Sequence, residues 1–291
     1  MKCWWVLLLL IFFWSCEKSV DFKLDVQEEA LVVEATIEND MPPVLVLTKS
    51  LNYFSQINVG ILENLFVKDA QVFVSNGSVT HKLKEYIINR GPGFKFHYYS
   101  IDSSNLNTAF LGALNTAYEL KIISNGVEYT GKTKIPAIRK TIDSIFWKKG
   151  AFDDTTKVNV LVRLKDSPGL GDYLRYFTKR NSLPFLPAEN SVYDDIFIDG
   201  KSYEVPVDPG IDRNNRLTNE ANAFKRGDTV VFKLSMIDRG TYDFWRTMEY
   251  SFQAVGNPFA SPIKVSGNIS NGALGYFGGY ASQFRTLIIP R

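Results

Sequence analysis

Twice in the first half of this chain an Asn-Gly pair stands between two short runs of alternating residues. Gln71 to Ser75 and Val79 to Leu83 flank Asn76-Gly77, and Tyr118 to Ser124 and Val127 to Lys132 flank Asn125-Gly126. Alternation places apolar side chains on one face of an extended strand and polar ones on the other. Both residues of an Asn-Gly pair tolerate the positive φ that a tight hairpin needs. A chain written this way is committed to paired strands. Leu31 to Glu38, closed by Asn39-Asp40, reads as a strand too, as do Val44 to Thr48 behind Pro42-Pro43 and the aromatic run Phe94 to Ser100. Short strands at this spacing predict a mainly β protein, with residues 30–136 as an immunoglobulin-like β-sandwich closed by Pro136.

Residues 137–291 read as a second β-rich lobe. In Lys157 to Lys165, Val158, Val160, Val162 and Leu164 point one way and Lys157, Asn159, Arg163 and Lys165 the other, which predicts a half-buried strand. Ile138 to Trp147, Asp228 to Ser235 and Thr286 to Ile289 are further strands. Tyr173 to Lys179 is the expected antiparallel partner of the 157–165 strand, joined through Pro168-Gly169. Asp194 to Asp199 and Lys201 to Val207 are expected to form a hairpin around Gly200, and residues 208–223, rich in Asn and Asp, a long loop. One packed α-helix is expected over about 239–255. Asp238 would cap it, Trp245, Met248, Phe252 and Val255 would form its apolar face, and Gly256-Asn257-Pro258 would end it. That stripe suits packing on a sheet; the other use for it is a partner-binding surface.

The first residues carry a different message. Lys2 precedes an apolar run of eleven residues from Trp4 through Trp14, followed by Ser15 and Cys16. About 18–20 apolar residues are needed to cross a bilayer, so the run is short for an anchor and right for a secretory signal peptide. A cysteine directly behind the small residue is where a bacterial lipoprotein signal is acylated and cut. Residues 1–15 are therefore expected to be a lipoprotein signal peptide, Cys16 the lipid attachment site and 16–29, dense in charge, a tether to the folded body. An ordinary secreted protein and an uncleaved anchor are the alternatives. The only cysteines are Cys3 and Cys16, so a processed body would hold no thiol, disulfide or zinc–thiolate site. Thirty-three basic residues nearly balance thirty-one acidic ones without a basic block, which argues against nucleic-acid binding.

Aromatic residues make up 14% of the chain, enough to supply stacking platforms for a glycan or peptide; Trp147, Tyr276 and Tyr280 are the candidates. Gly275-Tyr-Phe-Gly-Gly-Tyr280 lacks the Lys-Ser/Thr of a phosphate loop and reads as a bulged turn. Arg90-Gly-Pro-Gly-Phe94 is a tight loop tip. Asp208, Asp212, Asn214 and Asn215 offer hard oxygens without the spacing of an EF-hand. Asp153-Asp154 and Asp194-Asp195 are adjacent pairs, whose side chains diverge on a strand and so make poor catalytic dyads. His81 and His97 lie in expected strands, with no Gly-x-Ser-x-Gly elbow nearby. The expectation is a protein that is not an enzyme and needs neither metal nor cofactor.

Several longer stretches carry a resemblance. They include Leu31-Val-Val-Glu34, Pro42-Pro43, Asp143-Ser-Ile-Phe146, Arg226-Gly-Asp-Thr-Val-Val-Phe-Lys-Leu-Ser235 with Ile237-Asp238, and Thr241-Tyr-Asp-Phe-Trp-Arg246. Gly256-Asn-Pro-Phe-Ala-Ser-Pro262, Asn268-Ile-Ser-Asn-Gly272 and Gly275-Tyr-Phe-Gly-Gly279 complete the set. Together they resemble the Bacteroidota lipoprotein family catalogued as domain of unknown function 4249 (DUF4249), over nearly the whole chain behind Cys16. Phe13 and Trp14 depart from a strict lipoprotein box, but aromatic residues before Ser-Cys resemble the relaxed boxes of that phylum. Acidic Glu17 and Asp21 behind the cysteine resemble its surface-export signal, and a solvated tether explains them equally well. The resemblance implies an outer-membrane lipoprotein, many relatives being encoded beside a TonB-dependent receptor, and it supplies no catalytic residue. The leading expectation is a lipid-anchored, non-enzymatic accessory or partner of a TonB-dependent transporter, on a periplasmic or cell-surface face left open. A surface glycan- or peptide-binding lipoprotein is the alternative, and a surface hydrolase stands behind both.

Overall fold

The computed structural model describes residues 29–51, 59–91, 94–150, 156–196, 198–212, 223–257, 259–261 and 263–291. The expected signal segment, Cys16 and all of the tether but Glu29 lie outside them, as do Asp153, Asp154, Asn214, Asn215 and the Pro92-Gly93 loop tip. The first half contains β1 Leu31–Glu38, β2 Val44–Lys49, α1 Val59–Leu65, β3 Gln71–Ser75, β4 Thr80–Asn89, β5 Lys95–Ile101, β6 Thr116–Ser124 and β7 Val127–Ile135. The second contains β8 Lys140–Lys149, β9 Lys157–Asp166, β10 Tyr173–Arg180, β11 Leu186–Asp194, β12 Ser202–Val207 and β13 Phe224–Lys225. It ends with β14 Thr229–Ile237, α2 Arg239–Ala254 and β15 Leu274–Ile288. The protein is mainly β, as the alternation predicts. The short α1 is a second helix that the sequence pattern did not announce.

Eleven strands form one sheet in the order β11-β10-β14-β15-β1-β2-β5-β4-β3-β6-β7. A smaller sheet sets β8 on one side of β9 and β12 and β13 on the other. The large sheet runs through both halves of the chain, because β1 pairs in parallel with β15 from Val32↔Leu274 to Glu38↔Tyr280. One hydrophobic core spans Pro136 as well, drawing Val33, Ile37 and Leu120 from one side and Val160, Phe232 and Phe277 from the other. The sheet also curls back on itself. At Gly279 of β15 an added Cβ would stand 2.5 Å from Lys134 O of β7.

The two Asn-Gly hairpins form as predicted, by different turns. Asn125 and Gly126 both take positive φ, 51° and 76°, as a two-residue hairpin turn requires. At the other hairpin only Gly77 is positive; the Asn76 side chain accepts from Val79 N at 2.9 Å and closes a four-residue connection.

Two expected pairings do not form. Tyr173–Arg180 is not the partner of β9 but lies between β11 and β14. Leu174, Arg175 and Tyr176 are all buried, as suits an interior strand covered on both faces. Ser167 to Asp172 carries the chain from one sheet to the other instead of turning a hairpin. Likewise β11 and β12 join different sheets, so no hairpin forms around Gly200.

The stretch expected to be a bulged turn, Gly275 to Tyr280, is strand, the middle of the large sheet. Its glycines still serve close approach. Gly275 has φ +94°, and an added Cβ there would stand 1.9 Å from Val33 O. The helix starts where Asp238 predicts, its carboxylate accepting from Thr241 N at 2.8 Å. Its buried face is rotated from the expected stripe. Thr241, Tyr242, Phe244 and Glu249 are buried, Trp245 and Met248 pack beside them, and Phe252 and Val255 are exposed. Among the described residues no helix is long and apolar enough to cross a membrane.

Candidate functional site

Where α2 meets β1 and β15, a groove of about 620 Å³ opens between the helix and residues 264–276. Its walls are apolar, with Phe244, Trp245, Met248 and Phe252 on the helix side and Val265 and Ile269 opposite; among the described residues Glu34 is its one carboxylate. Glu34 reaches solvent, but the apolar surroundings raise its carboxyl above the ordinary range while Arg175 pulls it back.

The floor of the groove rests on a buried polar chain. Glu249 accepts from Ser191 Oγ at 2.5 Å and from Ser191 N at 3.0 Å. Arg175 Nε donates to Ser191 Oγ at 3.2 Å, and the guanidinium lies 3.4 Å from the centre of the Trp245 ring. Trp245 Nε1 donates to Tyr280 Oη at 2.9 Å, and Tyr280 Oη lies 3.2 Å from Tyr276 Oη. Phe244 stacks on Tyr276 with ring centres 4.3 Å apart. Burial first, and the neighbouring Tyr280 second, hold the Tyr276 hydroxyl firmly neutral. Asp238 pins the helix start to β7, accepting from Thr133 Oγ1 at 2.8 Å and Lys134 N at 2.9 Å.

Of the three predicted stacking residues, Tyr276 and Tyr280 meet beneath the groove while Trp147 lies apart from them. Tyr276 and Tyr280 are 3% and 4% exposed, so neither presents a free face to a ligand. They are core residues, because β15 is covered by α2 on one side and by β7 on the other. Trp147 lies in the smaller sheet, half-buried, with the Arg226 guanidinium 4.9 Å from its ring centre. Of the aromatic residues lining the groove, Trp245 and Phe252 belong to the stripe the helical spacing marked.

A second cavity, about 290 Å³, lies between the sheets. Leu164, Leu174 and Phe232 line it, and the Tyr176 and Tyr193 hydroxyls and Asp208 edge it. Burial, with Tyr193 and Asp208 adding to it, raises the Tyr176 hydroxyl. A wider concavity of about 710 Å³ runs over β3, β6 and β7. Its charges are answered locally, Lys121 by Glu128 and Lys132 by Glu119, each at 2.6 Å.

Both histidines are buried in strands. His81 Nε2 accepts from Asp102 N at 3.1 Å, which leaves the proton on Nδ1 to donate to Thr108 Oγ1 at 2.9 Å. Burial lowers the His81 pKa. His97 Nδ1 meets Glu85 Oε1 at 2.6 Å beside Tyr99, whose hydroxyl burial pushes up to about 12. Asp194, the last residue of β11, and Asp195, just beyond it, diverge: Asp194 accepts from Tyr242 Oη at 2.8 Å, while Asp195 turns toward Asp166 and Asp199. Among the described residues this last trio is the group of carboxylates close enough to hold a metal ion. It does not include Asp208 or Asp212.

A family model described as Domain of unknown function (DUF4249) matches residues 17–286. No curated protein matches the chain.

Proposed function

This chain belongs to the DUF4249 family, and on that premise we propose that it is a non-enzymatic lipoprotein of the outer membrane, moored by lipid on Cys16, that serves a TonB-dependent transporter as accessory or partner. The observation that carries the reading is the order of the first residues: one lysine, an apolar run too short to span, then Ser15-Cys16. The family match begins at residue 17, directly behind that cysteine. A non-enzymatic role fits the use of both histidines in hydrogen bonds inside strands.

Mass spectrometry of the membrane-extracted protein is expected to find a chain that begins at acylated Cys16, and Cys16→Ala to release the protein from the membrane. An unmodified residue 16 sinks the anchor. Gentle pull-down of the lipidated protein from detergent-solubilised outer membranes is expected to bring a TonB-dependent receptor with it. Recovery without any receptor removes the partnership while leaving the anchor standing.

The groove beside α2 favours a second reading, in which this surface binds a peptide or glycan. Trp245 and Phe252 give it aromatic walls, and Phe252 is exposed at its edge. Screening pooled peptides and polysaccharides against wild type and Phe252→Ala separates the readings, since a ligand held there should bind the variant more weakly. Among the described residues Glu34 is the only carboxylate lining the groove, so no pair of carboxylates such as a glycosidase uses is met there among them.

A further inference from the structure

Three carboxylates from separate segments converge beside the smaller sheet. Asp166 closes β9, and Asp195 and Asp199 stand in the connection from β11 to β12. One oxygen from each lies within 4.8 Å of the others. Asp166 and Asp195 are buried, 4% and 2% exposed. Asp166 also breaks the pattern of its own strand. Val158, Val160, Val162 and Leu164 face the core, and the next residue in that register is a carboxylate.

One oxygen of each carboxylate is tied to the backbone. Gly200 N donates to Asp166 Oδ2 at 3.3 Å, Gly171 N to Asp195 Oδ1 at 3.0 Å and Gly169 N to Asp199 Oδ1 at 2.6 Å. The opposite oxygens, Asp166 Oδ1 and Asp195 Oδ2, are buried and have no hydrogen-bond partner. Buried polar atoms are nearly always paired, and an unpaired carboxylate oxygen is a costly exception that calls for an ion or a water.

The charges do not close either. Lys140 Nζ lies 3.4 Å from Asp166 Oδ2, and Arg139 Nε donates to Asp172 Oδ2 at 3.2 Å. Among the described residues no lysine or arginine forms an ion pair with Asp195 or Asp199. Two negative charges are left over, which is the charge of one divalent cation.

We propose that Asp166, Asp195 and Asp199 hold a calcium ion that clamps the end of β9 to the β11–β12 connection and so ties the two sheets together. All three donors are hard oxygens, which suit calcium, magnesium or manganese better than the softer transition metals. Oxygens around one calcium, at about 2.3–2.6 Å each, stand no more than about 5 Å apart, and this cluster meets that limit. Magnesium, at about 2.0–2.1 Å, sets a tighter limit of about 4.2 Å and demands near-octahedral geometry. Water fills the remaining positions of a calcium shell. The site owes nothing to the lipid anchor.

Thermal melting of the whole protein in calcium chloride and in EDTA tests the proposal. Calcium in hundredfold excess over its Kd is expected to raise the melting temperature by about 5–10 °C. Native mass spectrometry should count a single bound calcium. Asp195→Asn and Asp199→Asn should each abolish the rise while melting no lower than wild type in EDTA. Asp199 is only half-buried, so its variant keeps the test open should Asp195→Asn fail to fold. A wild type indifferent to calcium overturns the proposal, as does a rise that survives in the Asp199→Asn variant. A larger response to magnesium than to calcium overturns the choice of ion.

Discussion

Two regions of this molecule bury charge, and they do it differently. Beneath the α2 groove, Arg175 and Glu249 share Ser191, and Trp245 covers the guanidinium. Between the sheets, Asp166, Asp195 and Asp199 stand together with Lys140 paired to Asp166 alone, and two of their oxygens have no partner. The first region is complete within the chain. The second is complete only with something added. Buried charge is tolerated when its partners can be counted, and a count that does not close is evidence for a ligand.

The largest expected effect comes from breaking the closed region. Glu249→Ala leaves the buried Ser191 N and Oγ without their acceptor, and Arg175 without the carboxylate it reaches through that serine, and should lower unfolding stability by about 3–5 kcal/mol, read as a shifted urea midpoint at unchanged slope. Changing both residues, Arg175→Met with Glu249→Leu, should return most of that loss. Next comes Lys140→Met, which deepens the deficit of the open region. Its cost in EDTA should be about 3 kcal/mol, and calcium should restore more stability to it than to wild type. Equal recovery in the two proteins would show that Lys140 and the ion do not act on the same charge.

Asp238 sharpens the contrast, being a carboxylate satisfied by three donors and no cation. Asp238→Ala should cost about 1–2 kcal/mol, the scale of a lost helix cap, in thermal melts. The smallest effect is expected from His81, a buried neutral group with both nitrogens bonded. Its pKa in the folded protein lies below the ordinary 6.5. The unfolded chain therefore takes up the proton first, and the contribution of His81, full above pH 6.5, is lost as pH falls toward the folded pKa. A melting series against pH should show this shallow acid limb, and His81→Gln should flatten it.

Legibility in the sequence followed distance along the chain. The Asn-Gly hairpins are written in a dozen consecutive residues, and both form. The helix, its cap and its end were equally local. The pairing of β10 failed because its neighbours, β11 and β14, are set by burial on both faces, which erases the alternation that would mark a side. Rotation of the helix face has a similar origin. Glu249 looks like a solvent residue until Arg175 and Ser191, far away in sequence, turn it inward. The carboxylate trio was harder still, since it is assembled from β9 and a connection between sheets. One local signal did exist: Asp166 occupies the core-facing register of β9, where a polar residue needs a reason.

The parallel pairing of β1 with β15 has a consequence for biogenesis. A ribosome delivers Leu31–Glu38 long before Leu274–Ile288. Until β15 arrives, one side of β1 has nothing to bond, and Val33 and Ile37 wait without their cover. Such a chain cannot mature piecemeal. A premature stop anywhere before Leu274 should yield not a smaller working protein but a sticky fragment marked for proteolysis.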